Sequence, residues 1–264
     1  MTTGARTYER IKVERDGLVE KITLNHPKRR NAIGPRMATE LWWAIDDART
    51  SDGVRSIVLT GEGTAFCSGG DFAEITSGPP APPSSLPPRD FAELLLAIAR
   101  SDKPIVAKVN GDALGGGLGL AAACTFAVAS TGATLGTPEI NVGIFPMVIM
   151  AVLSRHVPRR RLVEMMLLGE KLGAEEAARF GLVNRAVAPE RLDAEVGAIT
   201  DALASKSPTA VRLGLRAYAA HDGLDLERAL PLLHDRLLEI LGTDDAREGL
   251  TAFLEKRRPS WTGR

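Results

Sequence analysis

GDALGGGLGLAAAC, residues 111–124, sets five glycines within nine positions and then runs into an apolar, helix-forming stretch. Glycine inside a helix costs roughly 0.5–1 kcal/mol relative to alanine. A triplet at the start of a buried helix therefore needs a reason, and two are open. Either two backbones approach closely here, or bare peptide N–H groups face a ligand. A second cluster of small residues, GTAFCSGGDFAEI (63–75), occupies a matching position. It follows the strand-like VRSIVLTGEG (54–63), just as the first follows KPIVAKVNG (103–111). Two strand ends that offer bare N–H groups to one cleft make an oxyanion hole, where each donor lowers a barrier by roughly 3–4 kcal/mol. The helix that begins at the second cluster adds the partial positive charge of its N-terminus.

Other glycine-rich sites fit less well. GGGLG does not match G-x-G-x-x-G, and neither a phosphate-binding G-x-x-x-x-G-K-[ST] nor a hydrolase G-x-S-x-G occurs. With 33 basic against 33 acidic residues the chain lacks the basic excess of a nucleic-acid binder. Two cysteines and four histidines without ligand spacing predict neither a disulfide framework nor a metal site. The N-terminal stretch has no apolar leader, and no segment approaches the about 18 continuous apolar residues of a membrane span. The expectation is a cytoplasmic protein with no membrane partner. At 264 residues and 44% hydrophobic content, the chain can bury one large core or a core plus an appendage.

Along the chain, Ile11 and Val13 alternate with polar residues, Asp16-Gly17 supplies a turn, and Leu18, Ile22 and Leu24 alternate on the return. This predicts a hairpin. PRMATELWWAIDDAR (35–49) has helical spacing at Met37, Leu41, Ile45 and Ala48. A proline-rich stretch, SGPPAPPSSLPPRD (77–90), reads as an irregular loop and a candidate flap. Helices alternate with strands up to about Ala188, which predicts an α/β fold. Beyond it the pattern is helical only, with Ser207 as a cap and Pro208 in the first turn.

Four stretches together resemble the crotonase (enoyl-CoA hydratase/isomerase) superfamily: AFCSGGDFAEI (65–75), the 103–124 segment, LGTPEINVGIFP (135–146) and FLEKRRPSWTG (253–263). The resemblance begins at ITLNHPKRRNAI (22–33) and runs to the end of the chain. It implies a superhelix of ββα units on two roughly perpendicular sheets over residues 1–200, with a helical trimerisation region over 201–264. A homotrimer or a hexamer of paired trimers is the implied assembly. The substrate would be an acyl-CoA, with coenzyme A arriving as part of it and no separate cofactor.

The resemblance places the oxyanion-hole N–H groups at Gly70 and Gly116, and one catalytic carboxylate at Glu139. The family's hydratases carry a second glutamate at the position of Gly119, which here has no side chain. Hydration needs both a base for water and an acid for the α-carbon, work that two carboxylates usually share. A single carboxylate suits movement of a proton between two carbons, so the favoured reading is isomerisation of a 3-enoyl to a 2-enoyl thioester. Hydration by Glu139 alone, other lyase chemistry and a non-catalytic acyl-CoA-binding role remain open. Asp71 is expected to cap or orient its loop. Phe145, Pro146 and Met147 are expected to form an apolar wall for the acyl chain, with Glu139 desolvated beside it. For the carrier, the resemblance implies basic contacts from Lys28, Arg29 and Arg30 beside Ala32. It adds backbone from Cys67, Ser68 and Gly69 near Phe72, and Lys256 with Phe253 from the last helix.

Overall fold

A computed structural model describes residues 6–76 and 86–264; most of the candidate flap, residues 77–85, lies outside the described residues. Hairpin strands β1 (Ile11–Asp16) and β2 (Val19–Leu24) pair antiparallel across the Asp16-Gly17 turn. Helix α1 (Pro35–Thr50) follows, and buries Met37, Leu41, Ile45 and Ala48 as the spacing predicts. Strand β3 (Ser56–Gly61) lies parallel to β2. Next come the short β4 (Ala65–Cys67), the one-turn α2 (Phe72–Thr76), and α3 (Phe91–Ala99) behind a capping box of Asp90 and Glu93.

The pattern then repeats: β5 (Ile105–Val109), short β6 (Asp112–Leu114), and α4 (Gly116–Ala123). A third round gives β7 (Phe126–Ser130), β8 (Thr134–Gly136), a 3-10 turn over Pro138–Val142, α5 (Met147–Leu153) and α6 (Arg159–Leu168). Strand β9 (Lys171–Gly173), α7 (Ala174–Arg179) and β10 (Arg185–Val187) close the sheets.

Each round supplies one long strand to a six-stranded sheet, ordered β1-β2-β3-β5-β7-β10, and one short strand to a four-stranded sheet, ordered β4-β6-β8-β9. This is the ββα superhelix. The long strands are buried on both faces. Ile57, Leu59, Ile105, Ala107, Ala127 and Ala129 face the main core, while Val58, Val106 and Val128 face α8 (Leu192–Ala204) through Leu192 and Val196. Residues in the period-two register thus serve opposite layers. The sequence reading missed β4, β6, β8 and β9, because three-residue strands leave no periodic signal.

Three helices follow: α9 (Pro208–His221), α10 (Leu226–Leu241) and α11 (Asp244–Leu254). Ser207 Oγ accepts from the Ala210 N–H at 3.0 Å and caps α9. Asp245 ties this region together. Its buried carboxylate accepts from Ser207 Oγ at 2.7 Å and from the N–H groups of Thr262 and Gly263 at 2.7 and 3.0 Å. Burial alone would push the Asp245 carboxyl up, but those donors outweigh it and hold it below 3.8. A depressed carboxyl contributes stability above its unfolded pKa and loses it as pH falls through the folded one. Asp245→Ala is expected to cost on the order of 3 kcal/mol at neutral pH in a thermal melt. The gap from the parent protein should narrow on acidification.

Candidate active site

Strands β4 and β6 are parallel neighbours, so the loops that leave them emerge side by side. The first loop runs from Ser68 to Asp71. Ile33 accepts from the Asp71 N–H at 2.9 Å and donates its own N–H to Gly69 O at 2.7 Å, as in one rung of a parallel ladder. Backbone groups alternate in direction along such a rung. The N–H of Gly70, between those two contacts, is therefore turned away from Ile33, and it has no partner among the described residues. The second loop ends at Gly115 and opens α4. The earliest bond inside that helix runs from Gly119 N–H to Gly115 O at 3.0 Å, which leaves the Gly116 N–H as a free first-turn donor.

Ile33 brings the two donors together. It pairs with Gly70 through its backbone, and its Cδ1 lies 3.7 Å from where a Cβ on Gly116 would stand. Phe91, the first residue of α3, approaches the same point to 3.4 Å. Neither Ile33 nor Phe91 carried a signal in the sequence, since each acts only through tertiary contact.

The glycine triplet serves both of the open purposes. A Cβ at Gly117 would stand 2.3 Å from Cys67 O, so that position is glycine because two backbones meet. Gly115 has φ +50, and a Cβ there would lie 2.7 Å from Glu139 Oε1. Gly116 is the first residue of the helix, and a Cβ there would meet only side-chain atoms, at 3.4 Å or more.

Glu139 sits in the 3-10 turn Pro138–Val142, which β8 delivers beside β6. Gly115 N–H donates to Gly136 O at 2.9 Å and locks this turn to the triplet. One carboxylate oxygen of Glu139 lies against Gly115; the other, Oε2, is buried without a hydrogen-bond partner among the described residues. Burial raises the Glu139 carboxyl above 4.5, and its own backbone N–H offsets that only in part.

The remaining acids nearby are committed elsewhere. Asp71, nearly fully buried, accepts from Arg29 and from the Glu74 N–H, each at 3.3 Å. Glu74 pairs with Arg10 at 3.0 Å and lies across Gly34, where a Cβ would collide with it. Asp112 pairs with Arg30 at 2.5 Å and accepts from Thr134 N–H.

At Gly119 a Cβ would stand 2.3 Å from Ile149 Cγ2 and 2.9 Å from Ile149 Cβ. Helix α5 thus fills the space a side chain at 119 would enter. No spacing rule could have found Ile149, which is 30 residues away in sequence. Gly119→Ala is expected to lower unfolding stability by about 1–3 kcal/mol through overpacking. Ile149→Ala in the same chain should return part of that loss in denaturant unfolding.

The other candidate residues are distributed as follows. Phe145 is half-buried against the core and Pro146 is buried, but Met147 is 64% exposed on the first turn of α5. In the chain by itself, the expected wall therefore packs only through Phe145 and Pro146. Lys28, Arg29 and Arg30 form an exposed basic turn before Ala32, with Arg29 and Arg30 already paired to Asp71 and Asp112. The Ser68 N–H is taken by Arg30 O and the Gly69 carbonyl by Ile33, which leaves less backbone for an adenine than expected. Phe72 is exposed on α2, with its ring edge 3.7 Å from where a Cβ on Gly70 would stand. Cys67 is fully buried and its thiol is pushed up to about 12 by desolvation, so it serves as packing beside the loop. Phe253 and Lys256 are exposed at the end of α11, which packs on α9 and α10, and neither reaches the cleft through a hydrogen bond or ion pair among the described residues. No three His, Cys, Asp or Glu side chains gather as metal ligands among the described residues.

The enoyl-CoA hydratase/isomerase family profile matches residues 14–264. The chain belongs to the enoyl-CoA hydratase/isomerase family. It is 35% identical over 249 residues to the mitochondrial enoyl-CoA hydratase domain-containing protein 3 of Rattus norvegicus, covering 94% of this chain and 83% of that one. It is 34% identical to the crotonyl-CoA hydratase of Syntrophomonas wolfei, over 96% of this chain and 98% of the relative. Among solved structures, an enoyl-CoA hydratase of Mycobacterium smegmatis superimposes with a TM-score of 0.89 at 34% identity, covering 96% of this chain and 99% of that one. This chain is thus an enzyme of the hydratase/isomerase family, with the crotonase fold. No helix among the described residues is long and apolar enough to cross a membrane.

Proposed function

We propose that this family member moves the double bond of a 3-enoyl-CoA into conjugation with the thioester, using Glu139 as its only proton carrier. The observation that carries this reading is the buried carboxylate oxygen of Glu139, without a partner among the described residues, in a cleft where Asp71, Glu74 and Asp112 are paired and Ile149 stands in place of a side chain at 119. Glu139 takes a proton from C2 of the 3-enoyl thioester. The electron pair spreads over C2 to C4 and the thioester oxygen, where the N–H groups of Gly70 and Gly116 stabilise the negative charge. The same carboxyl then returns the proton to C4, and the double bond comes to lie between C2 and C3. A raised pKa suits a base that meets a weakly acidic C–H.

The carrier would lie along the basic turn of Lys28, Arg29 and Arg30 and over the backbone of Cys67 to Gly69. Lys256 and Phe253 would come from a neighbouring subunit, since neither joins the cleft of its own chain through a hydrogen bond or ion pair among the described residues. Exposed Leu226, Leu230, Leu237 and Leu241 on α10 support residues 201–264 as an oligomer-forming region, in a trimer or a pair of trimers. A cytoplasmic location completes the reading.

Hydration of a 2-enoyl-CoA is the second reading, supported by the hydratase activity in the Syntrophomonas relative's name. Purified protein in deuterated buffer, given 3-enoyl-CoA and 2-enoyl-CoA separately and followed by NMR, separates the two. Glu139-dependent migration of the double bond without 3-hydroxyacyl-CoA is the expected result. Rapid water addition to the 2-enoyl-CoA would replace the first reading with the second.

A further inference from the structure

A cavity of about 400 Å³ lies between the core and the helical extension, lined by the loop after α1, the loop before β5, the first turn of α9 and the C-terminal segment. It is remote from the catalytic cleft. Arg55 and Pro104 immediately precede strands β3 and β5, whereas the catalytic loops lie beyond the opposite ends of those strands. Six residues of β3 separate the two by roughly 20 Å.

Three guanidiniums line this cavity from three separate segments: Arg55, Arg212 and Arg264. None has a hydrogen bond or ion pair from its side chain among the described residues. Arg55 and Arg212 are half-buried. The Arg55 Nη1 and the Pro208 ring flank Gly263, at 4.0 and 3.6 Å from where its Cβ would stand, so the tail closes one side.

A fourth cation, Lys103, is spent on the carbonyls of Ala48 (3.0 Å) and Ser51 at the end of α1. Two carboxylates also face the cavity. Asp102 is already saturated by Arg216, at 2.6 and 2.9 Å, and by Arg49 at 3.4 Å, which leaves Asp52 as the other side-chain carboxylate in the lining, against three guanidiniums. Pro208, Val211 and Arg212 at the start of α9 supply part of the lining.

Half-buried arginines without partners sacrifice hydration for no protein contact, and planar guanidiniums match the oxygens of a phosphate bidentately. A space of this size accommodates a small organic phosphate. We infer that this cavity binds a phosphate-bearing small molecule, bridging the catalytic core and the helical extension through Arg55, Arg212 and Arg264.

The test uses the full-length protein and pyrophosphate as probe, with calorimetry for affinity and thermal melting for stability. Saturable binding and a rising melting temperature are expected, with about a tenfold loss of affinity for each of Arg55→Ala and Arg212→Ala. The melting temperatures of both variants without probe should match the parent, since neither side chain has a partner to lose. Pyrophosphate should also stay bound when saturating enoyl-CoA is added, which keeps the result independent of the catalytic reading. Absence of binding, displacement by enoyl-CoA, parental affinity in both variants, or an equal effect of chloride at the same ionic strength would each overturn the inference.

Discussion

Glu139→Gln is expected to cut double-bond migration roughly 10²–10⁴-fold, the usual contribution of a positioned proton carrier. The substitution keeps the shape of the side chain and removes only its ability to take a proton. Affinity for the thioester should stay near that of the parent, so the loss should fall on kcat. Stability gives an independent control. A carboxyl whose folded pKa lies above its unfolded value contributes stability that is full below the unfolded pKa and lost as pH rises through the folded one. At neutral pH the buried Glu139 carboxylate is therefore a burden on the fold, and Glu139→Gln should melt no lower than the parent. Activity should follow the same group: kcat/KM should fall on its acid side with a midpoint above 4.5, because burial raises this carboxyl. Full migration activity in Glu139→Gln would remove Glu139 from the mechanism.

Gly116→Pro should cost roughly 10²–10³ in kcat by deleting one oxyanion donor. Proline is the informative choice because a backbone N–H cannot be removed by changing a side chain. Gly116 is the first residue of α4, where proline fits the helical φ and no intrahelical bond is lost. A Cβ there meets Phe91 at 3.4 Å, ordinary contact distance, so the fold should hold. Gly117→Ala makes the contrast: its Cβ would press into Cys67 O and should reduce the yield of folded protein. A folded Gly116→Pro enzyme with parental kcat would show that the charge develops elsewhere.

Where the chain repeats a local pattern, the sequence is explicit. The hairpin, the core face of α1 through Met37, Leu41, Ile45 and Ala48, and the helical run after Ala188 follow from periodicities of two and 3.6, which each segment carries within itself. The cap at Ser207 is equally local. Motif order supplied the family, and with it Gly70, Gly116 and Glu139 as candidates.

Sequence alone could not divide the work within the glycine triplet. Gly117 is set by the carbonyl of Cys67, Gly115 by a positive φ and the carboxylate of Glu139, and Gly116 by its place at the helix start. Cys67 and Glu139 come from different rounds of the superhelix. Nor could it show that Asp71, Glu74 and Asp112 are each held by an arginine, or that Ile149 fills the space beside Gly119. The sequence by itself determined the long strands, the longer helices and the reactive residue types, because these depend on neighbours within a few positions. Only the tertiary structure decided which carboxylate is left unpaired, because pairing and desolvation depend on what packs against a group from distant parts of the chain.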